Sequence, residues 1–470
     1  MSERRSVDRK SAPRNTRHRR SVSGPQPRVR APEQKSRGNV RISRSSAEPV
    51  RASIPEPARV SRTPEPVIER WPIITGSADP WLTALVWGLI AFGLVMVYSA
   101  SGVTASQGVH QDPQYFLVKQ GIFACIGLTL MHLVARVDYH WLKSSSYLLL
   151  LGVVLMLAFV ALGFGHKAGG AARWIPLGPI HVQPVEIAKV AWVCGLAYSL
   201  SRKGARIRSF KIGFLPHVLG ATLLFALCMA QPDFGSGVMI VAITFLMMFA
   251  AGASTTYLAG AVLLGIFVGR HLILHSPYRL ARLKTFLEPE LHRQGAGYQL
   301  WEAWMGFGSG GVSGLGLGHS QRKLLFLPEA HTDFISAIVG EELGLIGFGL
   351  LAAAFAFLIY RGLRAAFRAA DEHGTYLATG LTLLVGVQAF TNLAVAVGLL
   401  PTKGLVLPFI SYGGSSLLMN CVAVGILLNV SKPRVSVSDA AAGGARSSLA
   451  PHDPAAALRD KLPKVAGGVS

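Results

Sequence analysis

The sequence is poor in charge, in acidic residues and in cysteine. Only 15% of its 470 residues are charged, against about 25% in ordinary soluble domains, which argues against a compact cytosolic enzyme. The four cysteines all lie in apolar runs, so they are typical of small buried side chains and exclude a disulfide scaffold. No apolar core and cleavage site follow the basic start, so we expect no cleaved secretory signal.

Hydrophobicity and positive charge dominate what is present, and they lie in different parts of the chain. The composition is 51% hydrophobic and the net charge is +22. Residues 1–70 alone hold 18 Lys and Arg against seven Asp and Glu. Such a segment buries too little apolar surface to fold, so we expect a disordered basic cytoplasmic tail. It could contact anionic lipid or bind nucleic acid without specificity, and we expect no specific nucleic-acid partner.

The body of the chain, residues 71–432, contains apolar runs long enough to cross a bilayer, which takes about 20 helical residues. We therefore expect an all-α polytopic membrane protein with about ten transmembrane helices. Residues 433–470 are rich in Ala, Gly, Ser and Pro and predict a second disordered cytoplasmic tail. The predicted spans lie near 81–100, 115–135, 145–164, 184–201, 212–230, 236–253, 256–275, 332–360, 375–398 and 410–430.

Basic loops indicate the orientation of these spans. An even number of helices places both termini on one side, and the basic loops 202–211 and 361–374 fall on that side, as the positive-inside rule requires. The loop 276–331, between helices 7 and 8, is then large and extracytoplasmic, yet it is basic. Its Arg and Lys residues either form an anion site or pair with acidic residues of the same loop. The acidic residues are Glu288, Glu290, Glu302 and Glu329.

Several charged residues lie at membrane depth, where they are costly and usually face the protein interior. Glu186 and Lys189 are three residues apart on one helix, which favours an ion pair, with a lipid head-group contact as the alternative. Asp233 follows a proline at the junction of two spans and is typical of a helix cap. Glu341 and Glu342 are adjacent, so they point to different faces of their helix.

The segment LPEAHTDF places Asp333 at the start of an apolar helix, at the outer membrane surface. A carboxylate there, with restricted hydration, is a candidate general base. The alternative is an ordinary helix cap formed by Thr332 or Asp333. Glu329 and His331 lie nearby, but three mixed residues without ligand spacing do not define a metal site, and we predict none.

Two further segments are rich in small residues. Gly306–Gly318 superficially resembles a phosphate-binding loop, but it lacks the terminal Gly-Lys-Ser/Thr, which excludes a nucleoside triphosphate site. Near the C-terminus, Gly413, Gly414, Ser415 and Ser416 allow helices to approach closely in lipid. Lys403, just before them, is a candidate second cation for an external phosphate.

Several of these strings occur in the same order as in a known family. The strings GLGLGHSQRK, LPEAHTDFI, GEELG and NLAVAVGLLPTKGLVLPFISYGGSS together resemble the SEDS family (shape, elongation, division and sporulation) over about residues 80–432. The resemblance implies a peptidoglycan glycosyltransferase of the cytoplasmic (inner) membrane that polymerises lipid II at its outer face during cell division. Asp333 matches the family's essential aspartate, and undecaprenyl pyrophosphate would be the leaving group.

The resemblance also implies site residues and partners. We assign Arg279, Arg282, Lys323 and Lys403 to pyrophosphate or lipid binding, with Glu329 and His331 beside them. Glu186, Lys189 and Asp233 either bind substrate or hold the fold. The family implies that a divalent cation (Mg²⁺ or Mn²⁺) assists. The expected partners are a class B penicillin-binding transpeptidase and other divisome membrane proteins at the division septum. Two alternatives remain open: a lipid II flippase, or a scaffold without enzymatic activity that recruits the transpeptidase.

Overall fold

The computed structural model describes residues 73–74, 76–107, 111–168, 171–178, 180–293, 295, 297–324, 327, 330–402 and 404–435. Both predicted tails lie almost wholly outside these residues, so the predictions about them remain untested. Helices dominate the described part of the chain. They are α1 (Pro80–Gln107), α2 (Tyr115–Val134), α3 (Trp141–Phe159), α4 (Pro184–Lys203), α5 (Leu215–Ala230), α6 (Phe234–Ala250), α7 (Thr255–Leu274), α8 (Pro277–Leu287), α9 (Tyr298–Gly310), α10 (Ile335–Phe367), α11 (Glu372–Ala396) and α12 (Gly414–Val430).

The predicted helical spans are confirmed. Within the described ranges, seven helices are long and apolar enough to cross a membrane. Two further apolar helices, α6 and α12, have 17 residues each. The tenth span is α4, whose 20 residues include four charged side chains. Helices suit this setting because they satisfy their own backbone hydrogen bonds where no water is available. The surface of α7 agrees with a lipid environment, since Leu263 and Phe267 are about 70% exposed.

The helix predicted near 332–360 differs in its bounds. α10 ends at Phe367, so Arg361 and Arg364 belong to the helix and not to a loop. The extension contains no proline, and Arg361 donates to a carboxylate oxygen of Asp79 at 2.8 Å, which ties this end of α10 to the start of α1. The predicted loop 276–331 likewise contains two helices, α8 and α9, that were not predicted.

Short strands form two elements that the all-helical prediction missed. β2 (His166–Ala168), β3 (Ala171–Leu177) and β4 (Ile180–Val182) form an antiparallel meander between α3 and α4. β1 (Ile73–Ile74) pairs with β5 (Arg434–Val435) at the other end of the described chain. We call the end of the bundle with β1 and β5 the ribbon end. α12 begins at the opposite end of the bundle, which we call the pocket end, and runs to the ribbon end, a rise of about 25 Å for its 17 residues.

α10 is interrupted near its first third. Gly344 has φ +65° and ψ −165°, outside the helical region. The loop after α9 fills the break: the amides of Leu315 and Gly316 donate to the carbonyls of Glu341 and Glu342 at 3.0 and 2.9 Å. A Cβ atom on Gly344 would lie 2.4 Å from the backbone nitrogen of Gly314, so glycine is required at the break.

Candidate active site

A pocket of about 500 Å³ opens at the pocket end of the bundle. Its wall combines the starts of α2, α4 and α12, the β2–β4 meander, and the segments before α10 and α12. Two carboxylates, Asp333 and Glu186, and two cations, Lys119 and Arg173, line it together with several polar groups. Residues far apart in the sequence therefore meet in one site that holds charges of both signs.

Asp333 is half-buried in the pocket wall, two residues before the first residue of α10. The cap position of that helix is Phe334, whose side chain makes no capping hydrogen bond. The main-chain carbonyl of Asp333 accepts a hydrogen bond of 2.9 Å from the buried amide of Asn392 on α11. A Cβ atom on Gly404 would lie 3.3 Å from a carboxylate oxygen of Asp333, so glycine keeps this side of the carboxylate accessible.

Glu186 and Lys189 form the ion pair expected from their spacing. Their charged atoms lie 2.8 Å apart, and Lys189 is only 1% exposed. Glu186 lies in the first turn of α4, where the helix dipole favours a negative charge. Glu186 lines the pocket, so this pair anchors one wall of the site.

Asp233 caps α6 as expected: its carboxylate accepts from the amide of Ser236 at 3.1 Å. The neighbouring segment holds the meander in place. The guanidinium of Arg173, on β3, donates to the carbonyls of Gln231 (3.4 Å) and Pro232. The same contacts direct Arg173 to the pocket wall.

Lys119 lies in the first turns of α2, half-buried in the pocket wall. It donates to the hydroxyl of Tyr115 and lies 4.4 Å from the centre of the Tyr115 ring. The next residue, Gln120, donates to the carbonyl of Ser411 at 3.1 Å, which fixes the start of α2 against the segment leading into α12. These contacts hold the cation at the pocket, and the ion pairs between described residues do not include Lys119.

Most of the cations that the sequence predicted to bind substrate lie among the described residues but do not line this pocket. Among described residues, the pocket lining does not include Arg279, Arg282 or Lys323. Arg282 donates to the carbonyl of Thr402 at 3.2 Å, which brings it to the segment before Gly404. Arg279 donates to the carbonyl of Leu272 and lies 5.6 Å from the centre of the Phe234 ring. Lys403 and Glu329, two further predicted site residues, lie outside the described residues.

Lys323 is buried in an ion pair. Its ammonium lies 3.1 Å from Glu342, which is 0% exposed and also accepts from Ser99 at 2.7 Å. The adjacent Glu341, equally buried, accepts from Ser320 and from the amide of Gln321 at 3.0 Å. The two glutamates thus point to different faces, as predicted, and together they fasten the loop that leads towards Asp333.

His331 packs beside the pocket. Its ring centre lies 4.5 Å from that of Phe116 and 5.6 Å from that of Tyr412, and its carbonyl accepts from the amide of Tyr412 at 2.9 Å. The basic loop also contains an internal ion pair, Arg322 with Glu302 at 2.6 Å. That pair matches one of the two explanations given for the basic residues of this loop.

The donor set does not fit a closed metal site. No group of three or more His, Cys, Asp or Glu side chains among the described residues is placed to hold a metal ion. The pocket offers Asp333 and Glu186, but Glu186 is engaged by Lys189.

Sequence reasoning missed four pocket residues: Lys119, Arg173, His166 and His181. The signal for Lys119 is a single charge inside an otherwise apolar span, which is costly unless it faces a polar cavity. Arg173 and the two histidines belong to the meander, whose strands are only three to seven residues long. Strands this short carry too few residues for a clear alternation pattern.

Fold and site together define a multi-pass helical membrane protein with a charged pocket at one end of its bundle. The family model described as "cell cycle protein", which covers FtsW, RodA and SpoVE, matches residues 80–435. The chain belongs to this family, the SEDS family that the sequence motifs predict.

Individual relatives support the same family assignment. The chain is 46% identical over 344 residues to a probable peptidoglycan glycosyltransferase FtsW from Geobacter metallireducens, covering 73% of this chain and 92% of the relative. It is 43% identical over 365 residues to the protein of the same description from Trichlorobacter lovleyi, covering 77% and 96%.

Solved structures share the fold. One chain from a study of polymerization and crosslinking by a peptidoglycan synthase complex gives a TM-score of 0.62 at 26% identity, covering 75% of this chain and 97% of that one. The rod shape determining protein RodA of Thermus thermophilus gives 0.57 at 26% identity, covering 75% and 96%.

Proposed function

We propose that this protein is a peptidoglycan glycosyltransferase that polymerises lipid II, with Asp333 as the general base. The observation that supports the proposal is the pocket, whose lining includes Asp333, Lys119 and Arg173. Family membership and relatives described as probable peptidoglycan glycosyltransferases support the reaction class.

The reaction requires one general base and cationic groups that bind the negatively charged pyrophosphate. The 4-hydroxyl of one sugar attacks the anomeric carbon of a second, lipid-linked sugar and passes its proton to the carboxylate of Asp333. The bond between that carbon and the pyrophosphate oxygen breaks with inversion, and undecaprenyl pyrophosphate leaves with the bonding electrons. Lys119 and Arg173 bind the pyrophosphate through charge-assisted hydrogen bonds, both in the bound substrate and as it leaves. A pyrophosphate is already ionised, so its departure needs no second carboxylic acid.

The remaining pocket residues shape the site. Lys189 neutralises Glu186, which makes Glu186 a poorer proton acceptor than an unneutralised carboxylate. The pocket of about 500 Å³ is within the size range of small-molecule sites, about 300–1,000 Å³. It holds the reacting sugar and the pyrophosphate, while the lipid and the peptide extend outside it.

The position of the charged groups favours polymerisation over transport. Lys119 and Glu186 lie in the first turns of their helices, and Asp333 precedes α10. A flippase needs polar groups along a path through the membrane centre, whereas a polymerase needs its base at one surface. We propose that the pocket end faces outwards and that both termini are cytoplasmic, and the basic loops at the ribbon end support this orientation.

We further propose that the protein acts at the division septum with a class B penicillin-binding transpeptidase and other divisome membrane proteins. The structural likeness to a chain of a peptidoglycan synthase complex supports such a partner. The family resemblance also implies a divalent cation, Mg²⁺ or Mn²⁺. Activity measured with and without EDTA, and after adding each ion back, tests that requirement.

The direct test is the purified chain in vesicles that contain fluorescent lipid II, with and without the transpeptidase. We expect glycan strands on a gel and no acceleration of lipid II movement between leaflets. Rapid loss of inner-leaflet fluorescence to a membrane-impermeant quencher, without polymer, would identify a flippase instead. Recruitment of the transpeptidase without either activity would identify a scaffold.

A further inference from the structure

Two buried amide side chains on α11 lie directly behind the pocket. Asn392 and Gln388 are four residues apart, so they share one face of the helix, and they are 2% and 1% exposed. Buried amides at this depth need hydrogen-bond partners, and their presence in a membrane helix calls for an explanation. Neither residue lines the pocket in the described part of the chain.

Asn392 uses its amide fully. Its nitrogen donates to the carbonyl of Asp333 at 2.9 Å and to the carbonyl of Leu405 at 2.7 Å, while its oxygen accepts from the hydroxyl of Ser336 at 2.9 Å. Leu405 also lines the pocket. One side chain thus fastens the main chain that carries the carboxylate to the main chain of the neighbouring wall segment.

Gln388 repeats the arrangement one turn away. Its amide nitrogen donates to the carbonyl of Val406 at 3.2 Å and lies 3.3 Å from the hydroxyl of Ser416. Val406 and Ser416 also line the pocket. The two amides therefore hold consecutive wall residues, Leu405 and Val406, against α11.

We propose that Asn392, supported by Gln388, is a positioning residue that sets the distance and angle between Asp333 and the 404–406 wall. The proposal rests on the proposed function, because what it positions is the general base. Neither amide touches substrate. A shift of about 1 Å at a reacting group can cost about 100-fold in rate, so loss of these hydrogen bonds should lower kcat while leaving KM nearly unchanged.

The test compares Asn392→Leu, which keeps the volume but removes the amide, with a matched control at the ribbon end. Asn429 is likewise buried in an apolar helix and bonds the connection between α2 and α3, through the amide of Tyr139 and the carbonyl of Ala135. Asn429→Leu should lower the melting temperature but keep kcat per folded molecule within about twofold, since it lies far from the base. Asn392→Leu should lower kcat about 100-fold with KM within about threefold. Ser336→Ala, which leaves both carbonyl bonds intact, should have a small effect.

Hydrogen exchange provides a readout that does not depend on activity. In the substrate-free protein, Asn392→Leu should speed exchange in peptides that cover residues 330–336 and 404–408, and Asn429→Leu should not. Normal kcat and unchanged exchange in Asn392→Leu would overturn the positioning role. Unchanged exchange with reduced kcat would also overturn it, since the wall would then be held without this amide. If the wild-type chain forms no polymer, the proposed function fails, while faster exchange in Asn392→Leu would still establish that Asn392 fixes the wall.

Discussion

The ammonium of Lys323 lies 3.1 Å from the carboxylate of Glu342, and both side chains are buried at the break in α10. The sequence predicted that Lys323 binds substrate, whereas the structure places it in an ion pair with Glu342. A substrate-binding role and a structural role make different predictions. Lys323→Met leaves a buried carboxylate without its counter-ion and should cost about 3–5 kcal/mol of stability.

The double variant Lys323→Met with Glu342→Gln separates these roles. It removes both charges and should recover most of the stability and the activity, as seen in thermal unfolding and polymerisation assays. If Lys323 holds the pyrophosphate, the double variant will fold but stay inactive.

The break in α10 depends on Gly344. A side chain at φ +65° and ψ −165° costs about 1–3 kcal/mol, and its Cβ atom would also collide with the backbone of Gly314. Gly344→Ala should therefore lower the melting temperature and the yield of folded protein. Gly349→Ala is the control on the same helix, because a Cβ atom there has no neighbour within 4 Å. Equal melting temperatures for the two variants would mean that the break is not needed.

The pocket cations should act mainly on substrate affinity. Lys119→Met and Arg173→Gln each remove a charged hydrogen-bond donor, which is worth about 1.5–3 kcal/mol or about 10- to 100-fold in binding. We expect KM for lipid II to rise by that factor, and more at low salt than at high salt. Lys143→Met removes a cation at the ribbon end, where Lys143 pairs with Asp371, and should leave KM unchanged. A loss in kcat alone would assign Lys119 and Arg173 a different role.

Acid should destabilise the ribbon end. Burial raises the pKa of Asp371, but hydrogen bonds from His140, Lys143 and Tyr139 outweigh it and hold the pKa well below its usual range. Burial raises the pKa of Asp138, but His140 and Arg434 lower it by more, so its net shift is also downwards.

Since both pKa values are lower in the folded protein, this stabilisation is complete above the unfolded value of about 4 and is lost as pH falls below it. The melting temperature should decrease as the pH is lowered from about 4. The decrease per pH unit should be smaller in Asp371→Asn. An identical slope in that variant would contradict the assignment.

The sequence predicts the helical spans well because each is a long apolar run. In a bilayer, a run of that length satisfies its backbone hydrogen bonds by forming a helix. It also places Asp333 next to a helix start, since the polar segment and the apolar helix adjoin in the chain. The charge pair Glu186–Lys189 and the cap Asp233 follow from local spacing alone.

The parts that escaped prediction depend on contacts between distant segments. Arg173 reaches the pocket only because the meander is held by the carbonyls of Gln231 and Pro232. Lys323 is pulled into the interior by Glu342, and the break at Gly344 exists because another loop fills it. None of these three sets of contacts leaves a periodic trace in the sequence.

The central claim is that the carboxylate of Asp333 removes the proton from the attacking hydroxyl. Asp333→Asn keeps the size of the side chain and the main-chain bond from Asn392, so the variant should fold and bind lipid II. The decisive measurement is glycan formation by purified Asp333→Asn from fluorescent lipid II, next to the wild-type protein. The account predicts bound substrate and no polymer, whereas glycan strands of wild-type length and yield would contradict it.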